Sequence, residues 1–223
     1  MNPLWEQFVV ESTLPEEAGE ASKVGKPKPP GSWHQESIEF TLLFPALVQL
    51  LGKASVSSVE MDENQYQLFS WQQSDDQFSG WLCPTLVSAP STLFQDHKIL
   101  LKSFGGIIEY VGAPPDTWIM SHDQVLTLKA AERDARFIKD YEWAFEGRPV
   151  PIDLDQFYAI AIEANGNTTL CHRLTGEVVL FAPDHAFDHV VPYRGCPEYN
   201  LYNIEGVRDF RSWVNAVATQ WLV

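Results

Sequence analysis

Residues 156–181 constrain the fold more than any other part of the chain. The run Phe157-Tyr-Ala-Ile-Ala-Ile-Glu-Ala164 is followed by Asn165-Gly166, then Asn167-Thr-Thr-Leu-Cys-His-Arg-Leu174, then Thr175-Gly176, then Glu177-Val-Val-Leu-Phe181. Three short runs rich in β-branched and aromatic residues, separated by tight-turn dipeptides, predict a three-stranded antiparallel meander. Asn-Gly predicts a two-residue type I′ turn, in which both central residues need positive φ. On the first strand, alternation puts Tyr158, Ile160 and Ile162 on one face and Phe157, Ala159, Ala161 and Glu163 on the other. The face of small residues is expected either to be covered by the N-terminal segments or to meet a partner.

The flanking sequence predicts helices around this sheet. Residues 1–32 read as a separate N-terminal segment with a Pro-rich connector, Lys26-Pro-Lys-Pro-Pro-Gly-Ser32, whose first residues dock on the body through Trp5 and Phe8. The body, 33–223, reads as a single domain. Extended chain leads to a helix that starts at Pro45 and stops at Gly52. Strands are expected at 66–71 and 78–82, and a helix over 91–104 opened by a Thr92/Gln95 capping box and closed at Gly105, with a strand over 107–111 after it. A long surface helix is expected over 123–145, ended by Glu146-Gly-Arg-Pro149. A last helix over 207–221 carries an apolar stripe through Val207, Phe210, Val214, Val217 and Trp221, suited to one face of the meander. The fold class is α+β, mainly antiparallel sheet with the C-terminal meander, flanked by helices.

Charge narrows the function classes. Thirty acidic against fifteen basic residues give a formal charge of −15, which argues against a nucleic-acid backbone or an anionic membrane as partner. It suits a basic protein partner, steered at long range. Three widely spaced cysteines (Cys83, Cys171, Cys196) read as free thiols of a reducing compartment. With no signal-peptide pattern at the N-terminus and no apolar run long enough for a bilayer, the expected location is the cytoplasm.

Each catalytic signal has a structural explanation. In Asp184-His185-Ala-Phe-Asp188-His189, two histidines at helical spacing resemble a zinc-binding pair, but Ala186 stands where a zincin carries Glu, and Pro183 and Pro192 oppose a helix. They read as surface or capping histidines, and a metal-dependent hydrolase built on this loop is a minor alternative. Cys171 and His172 are strand neighbours and point to opposite faces, so they cannot form a nucleophile–base dyad. Phe104-Gly-Gly-Ile107 lacks the spacing and lysine of a phosphate-binding loop and reads as a helix cap and turn. No enzyme, cofactor or metal is expected.

Leu100-Leu-Lys-Ser-Phe-Gly-Gly-Ile-Ile-Glu109, Phe157 to Ala164, the corners Asn165-Gly166-Asn167 and Thr175-Gly176-Glu177-Val178, and a closing helix with Phe210 and Trp213 together resemble the SUKH superfamily over roughly residues 91–222. The resemblance implies a non-enzymatic protein that binds and neutralises a cognate toxin domain, often a nuclease, as the immunity proteins of bacterial polymorphic toxin systems do. A regulatory or scaffold member without a toxin partner is the alternative. Candidate partner-binding residues are Asp75 and Asp76 at a hairpin tip, Glu163 on the meander, and Asp184 and Asp188 on the loop after it.

Overall fold

Alternating apolar and polar residues over 64–84 close the longest hairpin of the molecule. The computed structural model describes residues 8, 31–33, 37–61, 64–74, 77–86, 88–112, 123–184 and 188–222. Strands β1 (Gly31–Ser32), β2 (Ser55–Met61), β3 (Asn64–Ser74), β4 (Gln77–Pro84) and β5 (Glu109–Val111) form a five-stranded sheet in that order. A six-stranded sheet contains β6 (Gln124–Val125), β7 (Phe157–Ile162), β8 (Thr168–His172), β9 (Val178–Phe181), β10 (Val190–Pro192) and β11 (Leu201–Ile204), ordered β10-β11-β9-β8-β7-β6. Every strand pair in both sheets is antiparallel. Helices α1 (Ile38–Leu43), α2 (Pro45–Lys53), α3 (Gln95–Leu101), α4 (Leu128–Ala131) and α5 (Phe210–Gln220) complete the α+β architecture.

The meander is present with different corners. Glu163 accepts from the Gly166 N–H at 2.8 Å, and its own N–H donates to the Asn167 carbonyl. Only Gly166 takes positive φ there, at 92°, which is a type I turn followed by a left-handed bulge residue rather than a type I′ turn. The Asn165 side chain selects it by accepting from the Asn167 N–H at 2.9 Å. A second irregularity lies within β7: Ala159 pairs with Leu170 and Ala161 with Thr169, leaving Ile160 as an extra residue. Past this bulge the alternation reverses, so Ala161 joins Tyr158 and Ile160 in the main core while Ile162 packs with Phe157 and Ala159 on the other face.

Among the described residues, it is residues 135–145, and not the N-terminal segments, that cover that second face. The expected helix over 123–145 is broken into β6, α4 and a 3-10 segment, Ala135–Phe145. Tertiary pairing overrides the periodicity. Val125 bridges Ile107, β6 pairs with β7, and Leu126 is held at φ 58° with its N–H on the Ile160 carbonyl. Thr127 then caps α4. Similarly, 91–104 shortens to α3. Phe94, not Thr92, precedes the helix, and its N–H donates to the Tyr158 hydroxyl at 3.4 Å.

Phe104-Gly-Gly-Ile107 is where the two sheets meet. The Ile108 N–H donates to Leu82 of β4 at 2.9 Å, while Ile107 exchanges bonds of 2.7 and 2.8 Å with Val125 of β6. A Cβ on Gly105 would stand 2.2 Å from the Pro84 carbonyl oxygen, and Gly106, at φ 87°, would meet the Val125 oxygen at 2.6 Å. Both glycines are demanded by close backbone approach.

Residues 38–43 are helical rather than extended, because Ser37 accepts from the Phe40 N–H and buries Phe40. Pro45 separates α1 from α2, and Gly52 lies inside α2, which ends at Lys53. The break frees backbone groups that Asn215 of α5 satisfies. Its Nδ2 donates to the Leu43 carbonyl at 2.9 Å and its Oδ1 accepts from the Ala46 N–H at 3.0 Å. Asn215→Leu should therefore lower unfolding free energy by about 1–3 kcal/mol, read as a fall of about 2–4 °C in Tm per kcal/mol. Asn215→Asp, which keeps the acceptor for Ala46, should recover part of the loss.

Candidate functional site

The most elaborate polar arrangement in the interior lies between α3, β7 and α5. His97 is fully buried; its Nδ1 lies 3.1 Å from the Tyr158 hydroxyl and its Nε2 lies 3.0 Å from the Leu126 carbonyl. A carbonyl only accepts, so Nε2 carries the proton and Nδ1 accepts from Tyr158. The ring stacks on Phe210 at 4.9 Å and on Tyr158 at 5.7 Å. Burial lowers its pKa to about 4, against a smaller upward pull from the Leu126 bond. Cys171, the cross-strand partner of Tyr158, is pushed up to about 12, mainly by burial. Next to this cluster Asp96, itself buried, takes a two-pronged bond from Arg211 through Nε and Nη2. Burial leaves the imidazole and thiol neutral and without access to solvent, so the cluster ties elements together and offers no nucleophile.

The nucleophile–base geometry is likewise absent at Cys171 and His172. Cys171 faces the main core, whereas the His172 ring packs edge-on against Phe157 at 4.9 Å. His172 Nδ1 accepts from the Leu174 and Thr175 N–H groups at 3.1 and 3.2 Å, which shapes the β8–β9 turn.

The acids singled out in the sequence differ in placement and exposure. Asp75 and Asp76 lie outside the described residues, between the ends of β3 and β4. Asp184 and Asp188 are exposed. Glu163 is 2% exposed and accepts from the Asn165 and Asn167 side-chain amides at 3.3 and 3.4 Å, so it is turned into the β7–β8 corner rather than towards a partner. With Glu109 it adds to the burial that raises Tyr110 to about 12. His185 also lies outside the described residues, and His189 sits 3.7 Å from Glu205 at the surface. Among the described residues, no group of three or more His, Cys, Asp and Glu side chains could hold a metal ion.

A different surface stands out, formed where the 3-10 segment meets the loop before β11. Trp143 is 71% exposed and Tyr199 51%. They are sequence neighbours of Ala144 and Asn200, whose backbone carbonyl and side-chain amide bond at 2.8 Å in the interior. A second tie joins the same two loops: Arg148 Nη1 donates to the Gly195 carbonyl at 3.0 Å. Arg194 lies over the Tyr193 ring at 4.8 Å. The backbone is strained at three non-glycine positions here, with φ of 53° at Glu146, 46° at Arg194 and 61° at Tyr199. Each left-handed residue costs about 1–3 kcal/mol and persists because its surroundings over-determine it. Buried Phe145, Tyr193 and Leu201 beneath supply that constraint by packing in one cluster.

The two tied loops thus carry an exposed Trp and Tyr and two Arg side chains, the types that dominate protein-binding energetics. Local periodicity gives no sign of this surface, because it assigns 123–145 to one long surface helix. The available signal was a tryptophan in the polar run Lys139-Asp-Tyr-Glu-Trp143 directly before Glu146-Gly-Arg-Pro149.

Compared with family models, with curated proteins and with solved structures, the chain matches none. Among the described residues, no helix is long and apolar enough to cross a membrane.

The neutral, buried His97 makes stability depend on pH. In the unfolded chain its pKa returns to about 6.5, while the folded value is about 4, so the unfolded state takes up a proton first as pH falls. The contribution is intact above about pH 6.5 and declines to a loss of roughly 3 kcal/mol by pH 4. Urea midpoints measured across that window should show the decline, and His97→Gln should flatten it.

Proposed function

We propose that this protein is a non-enzymatic binding protein, an immunity protein of the SUKH type that captures and neutralises a basic, nuclease-type toxin domain in the cytoplasm. The observation that carries the reading is the surface built from Trp143, Tyr199, Arg148 and Arg194. Large aromatic side chains held exposed on strained, doubly tied loops lose little entropy on binding. Exposed Asp140, Glu142, Glu146 and Glu198 lie close to them in sequence, and the whole-chain charge of −15 favours rapid encounter with a cationic partner. Asp184 and Asp188, exposed after β9, belong to the same long-range field.

The resemblance over residues 91–222 supplies the biological class, and the buried, neutral state of His97 and Cys171 is consistent with a protein that works by occupancy. Tagged protein recovered from its own lysate at low and high salt tests the proposal. A single basic, stoichiometric partner, weakened by salt and toxic when expressed alone, supports it, and a diffuse set of partners contradicts it.

Against such a partner, Trp143→Ala and Tyr199→Ala should each cost about 2 kcal/mol or more of binding. Both should leave unfolding within about 0.5 kcal/mol of the parent chain, as surface substitutions do. Unchanged affinity in the double variant, measured by calorimetry, would place the interface elsewhere.

A further inference from the structure

The five-stranded sheet has two apolar faces, and they are covered differently. Phe69, Trp71, Trp81 and Cys83 point into the main core beneath the helices. Val59, Met61, Leu68, Phe78, Leu82 and Val111 point the other way and form a separate cluster. The described residue that closes this cluster from outside the sheet is Phe8, helical and 0% exposed.

Gly80 of β4 makes the seat for it. A Cβ there would stand 3.3 Å from Phe8 Cδ2, 3.2 Å from the Phe69 carbonyl oxygen and 3.4 Å from Leu68 Cδ1. A ring thus occupies the space that any larger residue in β4 would fill. Residues 9–30 separate Phe8 from β1. At about 3.3 Å per residue their greatest possible reach is some 70 Å, and half of the stretch is Glu, Lys or Pro.

We infer that the outer face of the five-stranded sheet is a docking groove for an aromatic anchor, whose resident ligand is the chain's own N-terminal segment, held by Phe8 and able to leave without unfolding the body. One observation supports separability. The Phe8 cluster and the main core lie on opposite sides of the same sheet, so release exposes one face and leaves the other packed. The tether keeps the segment at high local concentration, which lets a modest intrinsic affinity hold it in place. The groove recognises a segment carrying a large aromatic anchor.

The test uses the full chain, folded first and then cut at a site for a sequence-specific protease inserted after Gly25. The released fragment should dissociate on dilution, and a fluorescent peptide of residues 1–13 should take its place and give a saturable anisotropy signal. Phe8→Ala in the peptide should weaken that binding by at least about tenfold. Gly80→Ala in the cut protein should weaken the unaltered peptide, because the new methyl crowds the ring. The main thermal transition should survive release of the fragment. Three results would overturn the inference: a fragment that never exchanges, equal binding of the Phe8→Ala peptide, or loss of the main transition once the fragment leaves.

Discussion

The C-terminal helix α5 is the element on which everything else depends, because it is bonded to each of the layers around it. Asp209 caps it reciprocally with Ser212 and also bridges Glu177 at the start of the third meander strand. The Phe210 N–H donates to the Gly176 carbonyl at 2.8 Å, Arg211 holds Asp96 of α3, and Asn215 closes the gap between α1 and α2. Past its last turn, Trp221 packs edge-on against Trp71 at 5.6 Å and Trp81 at 5.5 Å, both in the five-stranded sheet. One short helix thus joins a meander corner, three helices and the second sheet. Aromatic contacts of this geometry contribute about 0.5–1.5 kcal/mol each beyond the area they bury. They offset the indole N–H groups of Trp71, Trp81 and Trp213, which are buried and find no acceptor among the described residues.

This clasp explains why the exposed surface on the far side of the six-stranded sheet can carry strain. β7, β8 and β9 present Tyr158, Cys171 and Leu180 to the α5 side and Phe157, Leu170 and Phe181 to the 3-10 segment. A sheet fixed on one face offers a rigid floor on the other. On that floor Tyr141 stacks edge-on against Phe181 at 5.2 Å, and Trp143, two residues on, is left in solvent. The strained φ values at Glu146, Arg194 and Tyr199 are affordable because the packing beneath them does not relax.

Legibility in the sequence followed the range of the forces involved. The meander, the hairpin of β3 and β4, the helix from Pro45 and the stripe of α5 rest on local alternation or helical spacing, and each of them was readable. The 123–145 region was misread because its fate is decided by Ile107 and Ile160, far away in sequence, which recruit Val125 and Leu126 into pairing. The Asn165-Gly166 corner was placed correctly but typed wrongly, since the Asn165 side chain reached the Asn167 N–H and selected another turn. Strand alternation puts Glu163 on the small-residue face, to be covered or to meet a partner, whereas the Asn165 and Asn167 amides hold it in the corner. Exposure of Trp143 and Tyr199 depends on how two loops are tied together, and no local pattern encodes that. Two tertiary contacts were readable from afar: the α5 stripe on the meander, and Phe8, an aromatic in a short amphipathic piece ahead of a Pro-rich connector.

Native-state hydrogen exchange on the full chain tests most directly whether α5 binds both sheets into one cooperative unit. The amides of α5, of β7–β9 and of β3–β4 should converge on a single, highest opening free energy, and that shared value should fall together in Asn215→Leu. Opening of the five-stranded sheet at a distinctly lower free energy, with α5 and the meander still protected, would contradict the account.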